Sequence, residues 1–113
     1  MAPPEHDAPV LRPLHIAADH PAYDGHFPGM PVLPGAVLLD EALRLLATDL
    51  GLDLTAWQLT AAKFPHGVRP GEEITLEHSA IAGGVVRFCV RSSGRTALSG
   101  TLSRMSGGGL DDG

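Results

Sequence analysis

The sequence lacks most features that define secreted and membrane proteins. Its single cysteine, Cys89, excludes an internal disulfide framework and a cysteine-based zinc site. The longest apolar run, Ala36 to Leu39, is far short of the roughly 20 residues that cross a bilayer. The N-terminus has no basic segment followed by an apolar stretch, so no secretory signal is expected and the expected location is cytoplasmic.

Aromatic residues are also scarce, at 4% of 113 residues, whereas hydrophobic residues make up 43%. This composition is typical of one small globular domain. A chain near one hundred residues buries only about two thirds of its unfolded surface, so the core is marginal and oligomerisation is favoured. Proline, glycine and polar residues dominate both ends, which predicts loose tails at 1–9 and 106–113 around a domain at 10–105.

The net charge of −5 hides a difference between the two halves of the chain. Residues 1–60 contain two arginines and eight acids, whereas residues 61–105 contain six basic residues and three acids. A solvated sheet face is one interpretation of the basic half, and a docking surface for an acidic partner is the other. Nucleic acid is not an expected partner, because the chain is acidic and its arginines are not interleaved with aromatic residues.

Local patterns predict one helix and five strands. The segment from Gly35 to about Leu50 is rich in helix-forming residues, and Gly51 follows it as a stop. Apolar positions cover most of its circumference, so we expect a helix enclosed by other elements. Strands are predicted at 10–17, 54–64, 73–82, 85–93 and 96–105. Three consecutive hairpin-like turns separate the last four, which predicts an α+β fold with an antiparallel sheet wrapped around a central helix.

The strongest functional signal is the run Gly-His-Phe-Pro-Gly-Met-Pro-Val-Leu-Pro-Gly at residues 25–35. Its prolines fix φ angles, so the loop is pre-set and can hold His26 rigidly. The following helix leaves N–H groups from Gly35 onward unpaired at the positive end of its dipole, where an oxyanion is stabilised. Asp40 lies more than a turn inside an apolar helix, where an ionised carboxylate is costly, so we expect a neutral proton donor.

A histidine, a desolvated carboxyl group and a polarising amide suffice to remove a proton beside a carbonyl and expel a β-hydroxyl group. The motif, with the helix acid after it, resembles that of the (3R)-hydroxyacyl-[acyl carrier protein] dehydratases of the hotdog fold, the FabZ and FabA type. Lys63-Phe64 and the Pro-Gly turn within residues 68–73 extend the resemblance over residues 10–105.

The resemblance implies a role for each matching residue. His26 would remove the proton from C2 of a 3-hydroxyacyl thioester, and Asp40 would protonate the departing C3 hydroxyl, leaving a trans-2-enoyl thioester. The backbone N–H of Gly35 would polarise the thioester carbonyl. Residues expected to line the substrate tunnel are Tyr23, Phe27, Met30 and Leu33, although Met30 and Leu33 fit the core equally well.

The resemblance also implies partners. Hotdog subunits pair edge to edge, and each active site combines the histidine of one subunit with the acid of the other; a homodimer is therefore expected, with a heterodimer or a trimer of dimers as alternatives. The substrate would arrive on the 4'-phosphopantetheine arm of an acyl carrier protein, with no further cofactor and no metal. Docking residues for that protein are predicted to be Arg87, Arg91 and Arg95. Fatty acid, polyene or type II polyketide synthesis would be the pathway.

Several alternatives stay open at this point. His26 alone is more often a structural loop histidine, and Asp40 has an ion-pair partner in reach at Arg44. We favour Glu41 as the partner of Arg44. Further expectations concern single side chains: Trp57 in the core, Cys89 buried in a strand, and His66 and His78 at the surface. The rival functions are a non-catalytic hotdog subunit that binds carrier protein or completes a heterodimeric dehydratase, and a hotdog thioesterase.

Overall fold

The polypeptide forms a five-stranded antiparallel sheet with one α-helix packed on it. A computed structural model describes residues 8–17, 19–21 and 33–105. The helix α1 is Gly35–Leu50, and a short 3-10 helix at Leu54–Ala56 follows it. The strands are β1 Val10–Leu14, β2 Trp57–Lys63, β3 Ile74–His78, β4 Val85–Ser92 and β5 Arg95–Arg104. No helix in the described ranges is long and apolar enough to cross a membrane.

The strand order is β1-β3-β4-β5-β2, and every neighbouring pair is antiparallel. Two of the three expected hairpins are present, because Gly83-Gly84 and Ser93-Gly94 all have the positive φ angles that two-residue hairpin turns need. The third expectation is wrong: β2 pairs with β5 rather than with β3. Residues 64–73 carry the chain from one side of the sheet to the other. The edge strands are therefore β1 and β2.

One stripe of α1 is buried, formed by Leu38, Ala42 and Leu46 at four-residue spacing. The opposite stripe is exposed and consists of Ala36, Asp40, Arg44 and Thr48. The helix begins and ends where the sequence predicts, but the expectation that it is enclosed on every side is wrong for a single chain. Leucine and alanine between the two stripes are half-buried, which explains why apolar residues cover so much of the circumference.

The side of the sheet that faces α1, here called the inner face, supplies the rest of the core. Inward positions alternate along each strand, as a half-buried strand requires. They include Ile74, Leu76, Val86, Phe88, Val90, Leu98 and Leu102. Trp57, at 7% exposure, belongs to the core as expected. The other side, here called the outer face, is polar, and Cys89 lies half-buried there instead of in the core.

Candidate active site

Gly35 opens α1 with amide groups that the helix leaves unpaired. Pro34 is the N-cap, with φ −57° and ψ 140°, and no side chain within the described residues caps this end. The carbonyl of Pro34 accepts hydrogen bonds from the N–H groups of Val37 and Leu38 at 3.0 and 3.2 Å. The N–H groups of Gly35 and Ala36 precede these bonds, and the helix dipole adds partial positive charge there. This helix end can stabilise negative charge on an oxygen.

A close aromatic contact explains why residue 35 is a glycine. A Cβ at this position would lie 3.0 Å from two ring carbons of Phe64. The ring itself is 46% exposed, so it covers the start of α1 from the solvent side. The Lys63-Phe64 pair, which carries part of the family resemblance, thus lies directly beside the predicted thioester-binding amide.

Asp40 lies in solvent in the single chain. Its side chain is 58% exposed, and its Oδ2 accepts a hydrogen bond from Nε of Arg44 at 2.9 Å. The expected Glu41–Arg44 pair is therefore wrong, because Asp40 and Arg44 share the exposed stripe while Glu41 is half-buried beside it. The expected desolvation of this carboxyl group is also absent in one chain. Water screens such a pair, so it holds Asp40 only weakly.

Four predicted site residues, His26, Tyr23, Phe27 and Met30, lie in residues 22–32, outside the described part of the chain. Leu33, at the end of that segment, is 4% exposed and belongs to the hydrophobic core. Its N–H donates to the carbonyl of Val68 at 2.9 Å. This bond fixes the end of the proline-rich loop to the chain that leads into β3.

The three arginines predicted to dock a carrier protein do not form one patch. Arg87 and Arg91 lie on the outer face, where Nε of Arg91 donates to Glu77 at 3.0 Å. Arg95 is paired in register with the buried Ser92, so it belongs to the opposite face at the end of the β4–β5 hairpin. The pKa of Glu72 is lowered mainly by a hydrogen bond from the backbone N–H of Arg69, and the positive charge of Arg95 lowers it further.

The sequence analysis missed a cluster at the far end of α1 that joins the buried His78 to Asp49 and to the partly exposed Arg12. His78, expected at the surface, is 2% exposed. Its Nδ1–H donates to the carbonyl of Ser79 at 2.8 Å, and its Nε2 lies 2.5 Å from Oδ2 of Asp49. Nε of Arg12 donates to the other oxygen of Asp49 at 2.9 Å. Strand periodicity could have revealed that His78 points inward, because it lies two residues after Leu76 and four after Ile74, on the same face of β3.

The electrostatics of this cluster are dominated by Asp49. Hydrogen bonds from Arg12 first, and from His78 second, lower the pKa of the Asp49 carboxyl group. The same contact raises the pKa of Arg12. An acid in the last turn of a helix is otherwise unfavourable, because it meets the negative end of the dipole. Across the described residues, no group of His, Cys, Asp and Glu side chains could hold a metal ion.

Sequence comparisons identify relatives with named activities. The model of the ApeI-like family, described as ApeI dehydratase, matches residues 4–101. The chain is 34% identical over 109 residues to a 3-hydroxyacyl-[acyl-carrier-protein] dehydratase FabZ of Chlamydia caviae, covering 83% of this chain and 70% of that protein. A FabZ of Ruminiclostridium cellulolyticum is 28% identical over 104 residues, with 82% and 73% covered. The chain spans 73% of the length of this second protein and 50% of the length of a FabZ of Chlamydia trachomatis.

Solved structures share the architecture. The dehydratase heterocomplex ApeI:P from Xenorhabdus doucetiae matches with a TM-score of 0.70 at 21% identity, covering 88% of this chain and 89% of that chain. An (R)-hydratase from A. caviae involved in PHA biosynthesis matches with a TM-score of 0.63 at 16% identity, covering 88% and 96%. These likenesses show the fold, a hotdog. With the family model covering most of the sequence, the chain belongs to the ApeI-like family of hotdog dehydratases.

Proposed function

We propose that the protein is a (3R)-3-hydroxyacyl-[acyl carrier protein] dehydratase that forms trans-2-enoyl thioesters, in fatty acid or polyene and polyketide synthesis. The observation that carries this proposal is the start of α1, where the N–H groups of Gly35 and Ala36 have no partner within the helix and lie beside the ring of Phe64. Membership of the dehydratase family supports it. A thioester carbonyl oxygen accepting from these amides would gain stabilisation as negative charge develops on it.

In the proposed reaction, His26 takes the proton from C2, and the electrons of that C–H bond form the C2–C3 double bond. The C3–O bond breaks, and Asp40 supplies a proton so that the hydroxyl leaves as water. The proton held by His26 then returns to Asp40 through solvent, which restores both groups. Gly35 stabilises the enolate-like charge on the thioester oxygen throughout.

We propose that this site is completed by a second subunit. Asp40 is exposed in one chain, which leaves its carboxyl group in water rather than in the low-dielectric site that a proton donor needs. The same end of the molecule carries β2, an edge strand of the described sheet, where Leu59 is 36% exposed and Phe64, which follows the strand, is 46% exposed. An unpaired edge with apolar side chains favours a strand-to-strand partner. A second copy seated there would desolvate the exposed stripe of α1.

The substrate would be delivered by an acidic acyl carrier protein on its phosphopantetheine arm. We propose docking through exposed arginines, with Arg87 and Arg91 acting from the outer face and Arg95 from the hairpin end. Reversing these charges to glutamate should weaken carrier-protein binding, and unchanged affinity in the triple variant would refute the docking surface.

Mass spectrometry of purified protein incubated with 3-hydroxyacyl carrier proteins of several chain lengths tests the reaction directly. The wild type should convert the substrate to a product lighter by one water, whereas His26→Ala and Asp40→Asn should not. Glu41→Gln is the matched control, because it removes the neighbouring carboxylate and should retain activity. Water loss that persists in both site variants would contradict the assignment, and release of free thiol would indicate thioester hydrolysis instead.

A second candidate is a subunit that completes a dehydratase formed with a different chain. The solved relative from Xenorhabdus doucetiae is described as a dehydratase heterocomplex, which favours this arrangement. The mass-spectrometric assay separates the two candidates. A heterocomplex subunit would give no product alone at any chain length, and activity would appear only after its partner chain is added.

A further inference from the structure

A group of basic and hydroxyl side chains lies on the outer face of the sheet, away from α1. Residues in register across β2, β5 and β4 form two rows: Ala61, Thr101 and Arg87 in one, and Lys63, Ser99 and Cys89 in the other. Cross-strand neighbours in register point to the same side of a sheet. Lys63 and Arg87 therefore stand at opposite corners, with the two hydroxyl residues between them.

A solvent-open recess of about 320 Å³ lies among the residues of these two rows. Its lining is Ala61, Lys63, Arg87, Phe88, Ser99, Gly100 and Thr101. The floor is the middle of β5, and long basic side chains rise from β2 on one side and β4 on the other. Small residues in the floor leave room for a compact ligand to lie between the two cations.

Neither cation is paired with an acid from the described ranges. Within the described part of the chain, Lys63 and Arg87 have no ion pair, and the hydroxyls of Ser99 and Thr101 have no hydrogen-bond partner. Arg91, on the same face, differs because Glu77 pairs with it. Two unpaired cations beside two free hydroxyl groups, in a chain of net charge −5, concentrate positive potential in this recess.

We propose that this recess binds a phosphate group. A phosphate presents several acceptor oxygens in tetrahedral directions, and the recess offers an ammonium, a guanidinium and two hydroxyl donors. Lys63 precedes Phe64, whose ring covers Gly35 on the other face, so the recess and the start of α1 share one corner of the sheet. Because the recess is open to solvent, the dissociation constant should be on the order of 1 mM.

Two sources could supply such a phosphate. One is a small phosphate compound free in solution, and the other is the phosphodiester at the base of a carrier protein's prosthetic arm. The second source rests on the proposed dehydratase function, whereas the recess itself does not. Binding can therefore be tested without turnover, so a failed dehydration assay and a failed binding assay remain distinguishable.

The test is a titration of the ¹⁵N-labelled protein with inorganic phosphate at constant ionic strength, following backbone amide resonances. Saturable shifts should centre on Ser99, Gly100 and Thr101. Lys63→Gln and Arg87→Gln should each weaken binding about fivefold or more, while Arg91→Gln removes the same charge from the same face and should leave it unchanged. Shifts that never saturate, or equal weakening by all three variants, would overturn the proposal, since both indicate general charge screening.

A second arm identifies the source by comparing phosphopantetheine with pantetheine, which lacks the phosphate. Tighter binding of phosphopantetheine than of inorganic phosphate, with shifts that spread to Phe64, would assign the recess to the prosthetic arm. Equal affinity for both phosphates would support a free phosphate compound. Equal binding of pantetheine and phosphopantetheine would overturn the role of the phosphate. Unchanged amide spectra elsewhere in each variant confirm that the fold is intact.

Discussion

The acidic side chains near the two ends of α1 differ in burial and in the number of their partners. Near the start, Asp40 is 58% exposed and has one partner, the flexible Arg44. In the last turn, the Asp49 side chain is 14% exposed and is held by Arg12 and by His78, a ring that is itself 1% exposed. The fully partnered acid binds β1 and β3 to the helix, whereas the loosely held acid is available to a ligand or a second subunit. The chain thus separates an end that ties the helix to the sheet from an end whose exposed acid is the proposed proton donor.

The largest expected effect is on catalysis at the Asp40 end. Asp40→Asn keeps the shape but removes the proposed proton donor, so turnover of 3-hydroxyacyl carrier protein should fall on the order of 10²- to 10⁴-fold. The stability of the single chain should change little, because the group is exposed there. Steady-state kinetics and thermal unfolding of the same preparation measure both. If Asp40→Asn lowered the melting temperature enough to explain its loss of activity, Asp40 would be a stabilising residue like Asp49, and the contrast between the two ends would be wrong.

The second effect concerns stability at the other end. His78→Ala should lower the free energy of unfolding by about 2–3 kcal/mol, because it leaves a void in the core and removes a donor from the Ser79 carbonyl and a partner from Asp49. Denaturant unfolding measures the loss, and Asp40→Ala is the matched control on the same helix. Similar destabilisation by the two variants would contradict a structural role confined to the Asp49 end.

The third effect is a pH dependence carried by Asp49. Its pKa in the folded chain lies below the ordinary value of 3.8, so its contribution to stability is complete above about pH 4 and is lost as the pH falls through the folded pKa. Unfolding free energies of the wild type and Asp49→Asn should therefore converge as the pH is lowered from 6 to 3. Curves that stay parallel across that range would show that Asp49 contributes nothing through its charge.

The smallest effect is expected at Arg44. Arg44→Gln removes an exposed ion pair between residues four apart, which contributes only a few tenths of a kcal/mol to a helix. At a protein concentration that keeps the chain monomeric, the melting temperature should stay within about a degree of the wild type. A larger drop that appears only at higher concentration is expected if the proposed second subunit buries the Asp40–Arg44 pair, and differential scanning calorimetry at two protein concentrations measures both.

Local signals account for what could be predicted of the fold. Pro34 and Gly51 bracket α1, and glycine turns bracket β4 and β5, so these three elements were located to within about one residue. The predicted β1 and β3 extend about three and four residues too far, and the predicted β2 begins about three residues too early. The neighbour of β2 was not predictable in this way, because residues 64–73 have turn-like composition yet carry the chain across the sheet. Pairing between β2 and β5 depends on long-range packing rather than on the sequence between them.

For the candidate site, the sequence predicted the start of the helix correctly but not the burial of individual polar side chains. Gly35 begins the helix as the motif indicates, and the contact with Phe64 gives a steric reason for the glycine. The state of Asp40 was misjudged because counting apolar residues around the helix does not reveal that residues 36, 40, 44 and 48 form one exposed stripe. His78 was misjudged because it is polar. Its position two and four residues after the buried Leu76 and Ile74 indicates an inward side chain.

The most direct test of the account is complementation between His26→Ala and Asp40→Asn chains produced together. If each active site takes its base from one subunit and its acid from the other, mixed dimers contain one intact site, and random pairing should restore about a quarter of wild-type dehydration. Each variant alone should be inactive. An inactive mixture whose mixed dimers are confirmed by native mass spectrometry would contradict a site shared between two copies of this chain.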